Sequence, residues 1–183
     1  MSTILAVDHL SKSFGAVTVA DEINFSINEG AAIGILGPNG AGKSSLFNLI
    51  TGALDEDLGD ITFEGKSILD LGAAERCSLG IARAFRVPHP FVRMTVFENV
   101  LVGAFQGAGI KGHIAEKYAL EVLDLTGLLP KANIKAGVLN LLDRKRLEMA
   151  RALAAKPKLL LLDEIAGGPV SYTHLTLPTT PYV

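Results

Sequence analysis

Residues 31–51 constrain this chain more than any other segment. There an apolar run, Ala31 to Leu36, passes through Gly37-Pro38-Asn39-Gly40-Ala41-Gly42-Lys43-Ser44 into a stretch with helical spacing at Leu46, Leu49 and Ile50. The apolar run lacks alternation, as expected of a strand covered on both faces in a parallel sheet. Lys43 to Thr51 is expected to be helical. Strand, glycine loop and helix are thus contiguous, an arrangement that points to an α/β fold.

The loop satisfies G-x-x-x-x-G-K-[ST], and each fixed position has a physical reason. Glycines let the backbone curl so that its N–H groups face a phosphate without Cβ obstruction. The positive end of the following helix adds to that anion site. Lys43 is placed to reach the β- and γ-phosphates, and the Ser44 hydroxyl to ligate Mg2+. The expected ligand is ATP or a closely related nucleoside triphosphate, contacted by Gly37, Pro38, Asn39, Gly40, Ala41, Gly42, Lys43, Ser44 and Ser45.

A second element lies far downstream, where Leu159-Leu160-Leu161-Leu162 reads as a buried strand ending at Asp163-Glu164. Such a strand delivers Asp163 to its carboxyl end, where a carboxylate can organise Mg2+ and its waters, and Glu164 could polarise an attacking water. By itself an acidic pair after a core strand is a weak signal. Its position downstream of the phosphate loop gives it weight.

The remaining sequence sets the frame. With 183 residues, 49% of them hydrophobic and 20% charged, the chain can bury a core of one ordinary domain. A formal net charge of −2 gives no basic footprint for nucleic acid. The single cysteine, Cys77, cannot form an intramolecular disulfide and is read as a small apolar residue. No secretory leader or membrane-spanning stretch is legible, so cytoplasmic residence is expected, with any membrane link made through a partner.

Ile4 to Val7, Ile23 to Ile27 and Ile61 to Phe63 read as strands of a mostly antiparallel layer. Beyond Pro88 the texture becomes helical: Thr95-Val96-Phe97-Glu98 matches a capping box for Val96 to Gln106, followed by helices over Ala115 to Leu125 and Asp143 to Ala155. Pro169 to Val183 carries no Asp, Glu, Lys or Arg and no trusted periodicity, and reads as a disordered or non-native tail.

Taken with Gly80-Ile81-Ala82-Arg83-Ala84-Phe85 and Met149-Ala150-Arg151-Ala152-Leu153, these motifs resemble the ATP-binding subunits of ABC transporters, particularly branched-chain amino-acid importers, over about Leu5 to Gly168. The resemblance implies a P-loop NTPase with a RecA-like core sheet, an antiparallel β-subdomain and a helical subdomain, C-terminally incomplete here. It divides the chain into residues 1–87 (β-subdomain and P-loop core), 88–156 (helical subdomain), 157–168 (core strand with the acidic pair) and the 169–183 tail. It also implies a Mg2+-dependent cytoplasmic ATPase, peripheral on the inner face of the membrane. Such a subunit dimerises head to tail with a second ATP-binding subunit, drives a membrane permease, and meets a substrate-binding protein only indirectly. By the same resemblance Lys43 and Glu164 are catalytic, Ser44 and Asp163 hold the metal, and Phe14 stacks on adenine. The alternatives are a low-turnover regulatory nucleotide-binding module, or a soluble ABC ATPase of repair or translation. The acidic balance and the lack of a long coiled-coil insertion disfavour the last.

Three departures stand out. Where the family usually has a metal-contacting glutamine, this chain has Arg86, and a fixed cation cannot reproduce an amide's metal contact. Where the family signature reads Leu-Ser-Gly-Gly-Gln or a looser variant, the aligned residues are Leu139-Asn140-Leu141-Leu142-Asp143. Leu141 and Leu142 obstruct backbone approach to the γ-phosphate of the other subunit. Asp143 either adds a repulsion of about 3–4 kcal/mol toward a phosphate charge ~4–6 Å away or caps the following helix. After Gly168 the family's further strands and switch histidine are not recognisable, and His174 is not given that role. A chain lacking them is expected to hydrolyse ATP poorly by itself.

Overall fold

The computed structural model describes residues 2–163. Its first layer is an antiparallel sheet in the order β2-β1-β3-β4, formed by β1 (Thr3–Phe14), β2 (Val17–Asn28), β3 (Leu58–Phe63) and β4 (Lys66–Ser67). The β1 and β2 strands form one long hairpin, paired from Phe14↔Val17 at the turn to Thr3↔Asn28 at the open end. Leu5, Val7 and Leu10 of β1 all face the core, although strict alternation would send Leu10 outward. A register shift between Val7 and Leu10, with His9 at φ 47°, supplies the extra residue that turns Leu10 back inward.

Helix α1 (Lys43–Thr51) lays Leu46, Leu49 and Ile50 against this sheet. Two further strands, β5 (Ile81–Ala84) and β6 (Leu159–Leu162), pair in parallel from Ile81↔Leu159 to Ala84↔Leu162 and bury Ile81, Leu159 and Leu161 in the same cluster. Helix α2 (Ala73–Leu79) precedes β5, and between β5 and β6 in sequence lies a helical layer of α3 (Val96–Gln106), α4 (Gly112–Leu125) and α5 (Leu141–Ala154) with its own core. Small residues let α3 and α5 approach closely. A Cβ at Gly103 would stand 2.5 Å from the Arg151 carbonyl oxygen. The seam between β5 and α5 is likewise built from Ala82, Ala84, Ala152 and Ala155.

The capping box at α3 forms as its residues require. The Thr95 hydroxyl accepts from the Glu98 N–H at 3.1 Å and the Glu98 carboxylate accepts from the Thr95 N–H at 2.7 Å. Those Thr95 bonds hold the exposed Glu98 carboxyl below the usual glutamate value. The cap therefore stabilises the fold above the ordinary glutamate range and is lost as acid protonates Glu98. Thr95→Ala is expected to lower stability by about 1 kcal/mol in a denaturant titration at neutral pH. An unchanged midpoint would show that water replaces the cap.

The expected strand over Ala31 to Leu36 does not form. The segment has no regular secondary structure and is exposed, with Ile33 53% and Leu36 95% accessible. A strand exists only where a neighbour takes up its N–H and C=O groups, and among the described residues β5 and β6 pair with each other alone. The helices also begin earlier than their apolar periodicity indicates, at Gly112 and Leu141 in place of Ala115 and Asp143. Neither α2 nor β5 was expected as an element. Glu164, the 169–183 tail and His174 within it lie outside the described residues.

Candidate functional site

The phosphate loop curls because its glycines take left-handed backbone, φ 86° at Gly40 and 82° at Gly42. A Cβ at Gly42 would meet the Val19 carbonyl oxygen at 2.1 Å, so the loop lies directly against β2 and only glycine fits. Gly42 opens α1 without a side-chain cap, and the first turn holds no acidic residue to offset the helix dipole. A cleft of about 190 Å³ results, lined by Val19, Asn39, Gly40, Gly42, Lys43, Ser44, Ser45 and Arg86. Lys43 closes back over the loop's own entry, its Nζ donating to the carbonyls of Gly37 at 2.7 Å and Pro38 at 2.8 Å.

Of the residues expected to contact nucleotide, Gly37, Pro38, Ala41 and Phe14 are not in the cleft lining. Phe14 ends β1 with 53% of its surface exposed. Its setting is built by Asp57, which accepts from Lys12 Nζ at 2.6 Å and from the Ser13 N–H at 2.7 Å. Those two donors hold the Asp57 carboxyl below the ordinary aspartate value, and Lys12 Nζ stands 5.6 Å from the Phe14 ring centroid. A ring that remains exposed beside an ordered cation is available to stack on a ligand.

Asp163 directly follows β6 and is buried, its Oδ2 accepting from Arg83 Nη2 at 2.6 Å and its N–H donating to the Ala84 carbonyl at 3.2 Å. Glu164 lies outside the described residues. No cluster of three or more His, Cys, Asp or Glu exists among the described residues that could hold a metal alone. One carboxylate and one exposed hydroxyl, Ser44, nevertheless suit Mg2+, which keeps several waters and takes other oxygens from phosphate. The residues present thus fit a Mg2+-nucleotide.

Arg86 lines the phosphate cleft, bringing positive charge where an amide was looked for. The loop after it is pinned from two helices. Asn99 of α3 accepts from the Phe91 N–H and donates to the Phe91 and Thr95 carbonyls, while Arg151 of α5 donates to the His89 carbonyl and lies 4.8 Å from the Phe91 ring. At the start of α5 the cap is Asn140, whose side chain accepts from the Asp143 N–H at 2.8 Å. Asp143 is neither the cap nor an outward charge. It is buried, paired with Lys131 and, at 3.7 Å, with Arg146. Leu141 and Leu142 remain exposed at 66% and 47%.

Two residues escaped the sequence reading. Arg83 carries the contacts of Asp163, and its signal was a charged residue inside the apolar strand Ile81–Ala84. Arg76 is fully buried and donates to the carbonyls of Leu49, Ile50, Leu69 and Leu71, with no pattern in the sequence to flag it.

The sequence profile of the family described as ABC transporter matches residues 20–167. This chain belongs to that family. Among ABC relatives, the LivG protein of Methanocaldococcus jannaschii, named a probable branched-chain amino acid transport ATP-binding protein, is 36% identical over 93% of this chain and 72% of its own length. The lipopolysaccharide export system ATP-binding protein LptB of Haemophilus influenzae is 31% identical over 94% of this chain and 73% of its own. A crystal structure of the ADP conformation of an ATP-binding cassette of an ABC transporter superposes with a TM-score of 0.80, at 34% identity over 93% of this chain and 72% of that one. The fold is therefore that of the P-loop ATPase cassettes, and the family hydrolyses ATP. Within this ABC ATPase no described helix is long and apolar enough to cross a membrane.

Proposed function

We propose that the chain is the ATP-binding subunit of an importer for branched-chain or other small amino acids, bound to the inner face of the membrane through a separate permease. The observation that supports it most is the phosphate cleft lined by Asn39, Gly40, Gly42, Lys43, Ser44 and Ser45, in a chain related to LivG over most of its length and with a buried Asp163 after its last core strand. The relation to LptB means that the cassette alone does not name the cargo. In this reading the backbone N–H groups of Gly37 to Ser44 cradle the phosphates and Phe14 stacks on adenine. Lys43 leaves its loop carbonyls for the β- and γ-phosphates. Ser44 and Asp163 hold Mg2+, which when bound neutralises charge on the phosphate oxygens. Glu164 takes the proton of the attacking water. Residues 1–87, 88–156 and 157–168 act as the β-subdomain with phosphate loop, the helical subdomain and the metal-bearing core strand. Exposed Val87, Phe91 and Val92, on the loop pinned to α3 and α5, offer the permease an apolar surface.

Loss of the gene is expected to abolish uptake of labelled leucine or a similar amino acid. The intact gene should restore it, and Glu164→Gln should leave transport lower by roughly 100-fold or more. Normal amino-acid uptake with defective lipopolysaccharide export would move the assignment to an exporter.

A second reading, a cassette with one weak hydrolytic site, draws support from exposed Leu141 and Leu142 and from Arg86 in the cleft. A partner subunit with an intact signature then completes the site on Gly37 to Ser44, while the opposite site relies on Asn140 to Asp143.

A further inference from the structure

We infer that Arg83 is a positioning residue for the metal half of the site, a strut that ties α1 to the end of β6 and so sets the separation of Ser44 and Asp163. The inference rests on the proposed Mg2+ roles of those two residues. Arg83 sits on a four-residue strand between buried Ala82 and Ala84, with 5% of its side chain exposed. Burying a guanidinium there costs desolvation that only well-placed acceptors offset.

The acceptors come from two different elements. Nη2 donates to Asp163 Oδ2 at 2.6 Å, and Nη1 donates to Asn48 Oδ1 at 2.5 Å. Nε is buried and meets no acceptor among the described residues, so the two terminal nitrogens alone aim the fork. Asn48 lies one helical turn after Ser44 on the same face of α1, so whatever fixes Asn48 fixes Ser44. Phe47 and Phe85 stand 5.5 and 4.7 Å from the guanidinium carbon and limit its movement. Oδ2 of Asp163 is thereby committed to Arg83, and Oδ1 is the oxygen left for the metal or its waters. A purely structural ion pair would need only Asp163. The bridge to the phosphate-loop helix is what a positioning role requires.

The test uses the intact subunit with bound nucleotide, titrated with Mn2+ and followed by electron paramagnetic resonance. A fluorescent ATP analogue in EDTA reports metal-free binding. Arg83→Met and Asn48→Ala are expected to bind the analogue in EDTA as the wild type does, because the phosphate loop is untouched. Mn2+ affinity should fall roughly 10- to 100-fold for Arg83→Met, the usual consequence of removing a partner that orients a metal ligand, and by a smaller factor in the same direction for Asn48→Ala. Arg83→Lys should not restore it, since one ammonium cannot span both acceptors in the planar fork geometry. Unchanged Mn2+ affinity in folded Arg83→Met, or full rescue by lysine, would overturn the inference. If Arg83→Met does not fold, Asn48→Ala decides: it keeps the ion pair and loses only the bridge, so wild-type affinity there is fatal. Absence of Mn2+ binding by the nucleotide-loaded wild type would overturn the metal-site reading and this inference with it, whereas wild-type binding with indifferent variants overturns the inference alone.

Discussion

Lys43→Ala is expected to lower ATP turnover of the assembled transporter by about 100-fold or more, because it removes the cation aimed at charge that develops between the β- and γ-phosphates. The fold should tolerate the change. Among the described residues its ammonium bonds only to the Gly37 and Pro38 carbonyls of the adjoining exposed loop, so a denaturation midpoint close to the wild type's is expected. The equivalent lysine of the partner subunit should matter less. The site it serves would be completed by the start of α5 of this chain, where Leu141 and Leu142 are exposed in place of small residues. On that reading the defect would be steric, since Asp143 is turned inward and paired with Lys131 and Arg146. Equal losses from the two lysine substitutions, measured one at a time in a reconstituted complex, would sink the asymmetry.

Arg76→Leu is expected to be the most destabilising single change away from the cleft, by about 3–5 kcal/mol, because it strips several buried carbonyls of their donor at once. The guanidinium satisfies Leu49 and Ile50 at the end of α1 and Leu69 and Leu71 before α2. Burial pulls its pKa below the ordinary arginine value, opposed by the negative charges of Glu56 and Asp55. The carbonyls it bonds are what make that burial tolerable. A shorter apolar side chain without donors leaves those helix-end carbonyls without a partner. Thermal melts should show a fall of roughly 10 °C or more. A loss below about 1 kcal/mol would mean that water reaches those carbonyls.

Cys77 carries no such expectation. Burial raises its thiol pKa above the ordinary value, which keeps it protonated and unreactive at neutral pH, in line with its reading as an apolar residue.

Much of the candidate site was legible because its signals are local. Gly40 and Gly42 had to be glycine for backbone reasons, and Thr95-Val96-Phe97-Glu98 closes a cap within four residues. Strand ends and helix starts were less legible. Asn140 caps α5 two residues before Leu142 because the cap is set by one side-chain bond, whereas apolar spacing becomes readable only after a turn. The first residues of α5 are also exposed leucines, which hide a helix start from periodicity.

From the sequence alone came the phosphate loop of Gly37 to Ser44, the helix that follows it, the antiparallel layer and the acidic end of a buried strand, since each is written in neighbouring residues. Tertiary structure decided the rest. It left Ala31 to Leu36 unpaired among the described residues, buried Asp143 on Lys131, and joined Arg83 of β5 to Asn48 and Asp163, 35 and 80 positions away. Pairing partners, counter-ions and bridges are supplied by distant segments, so no local pattern of residues can announce them.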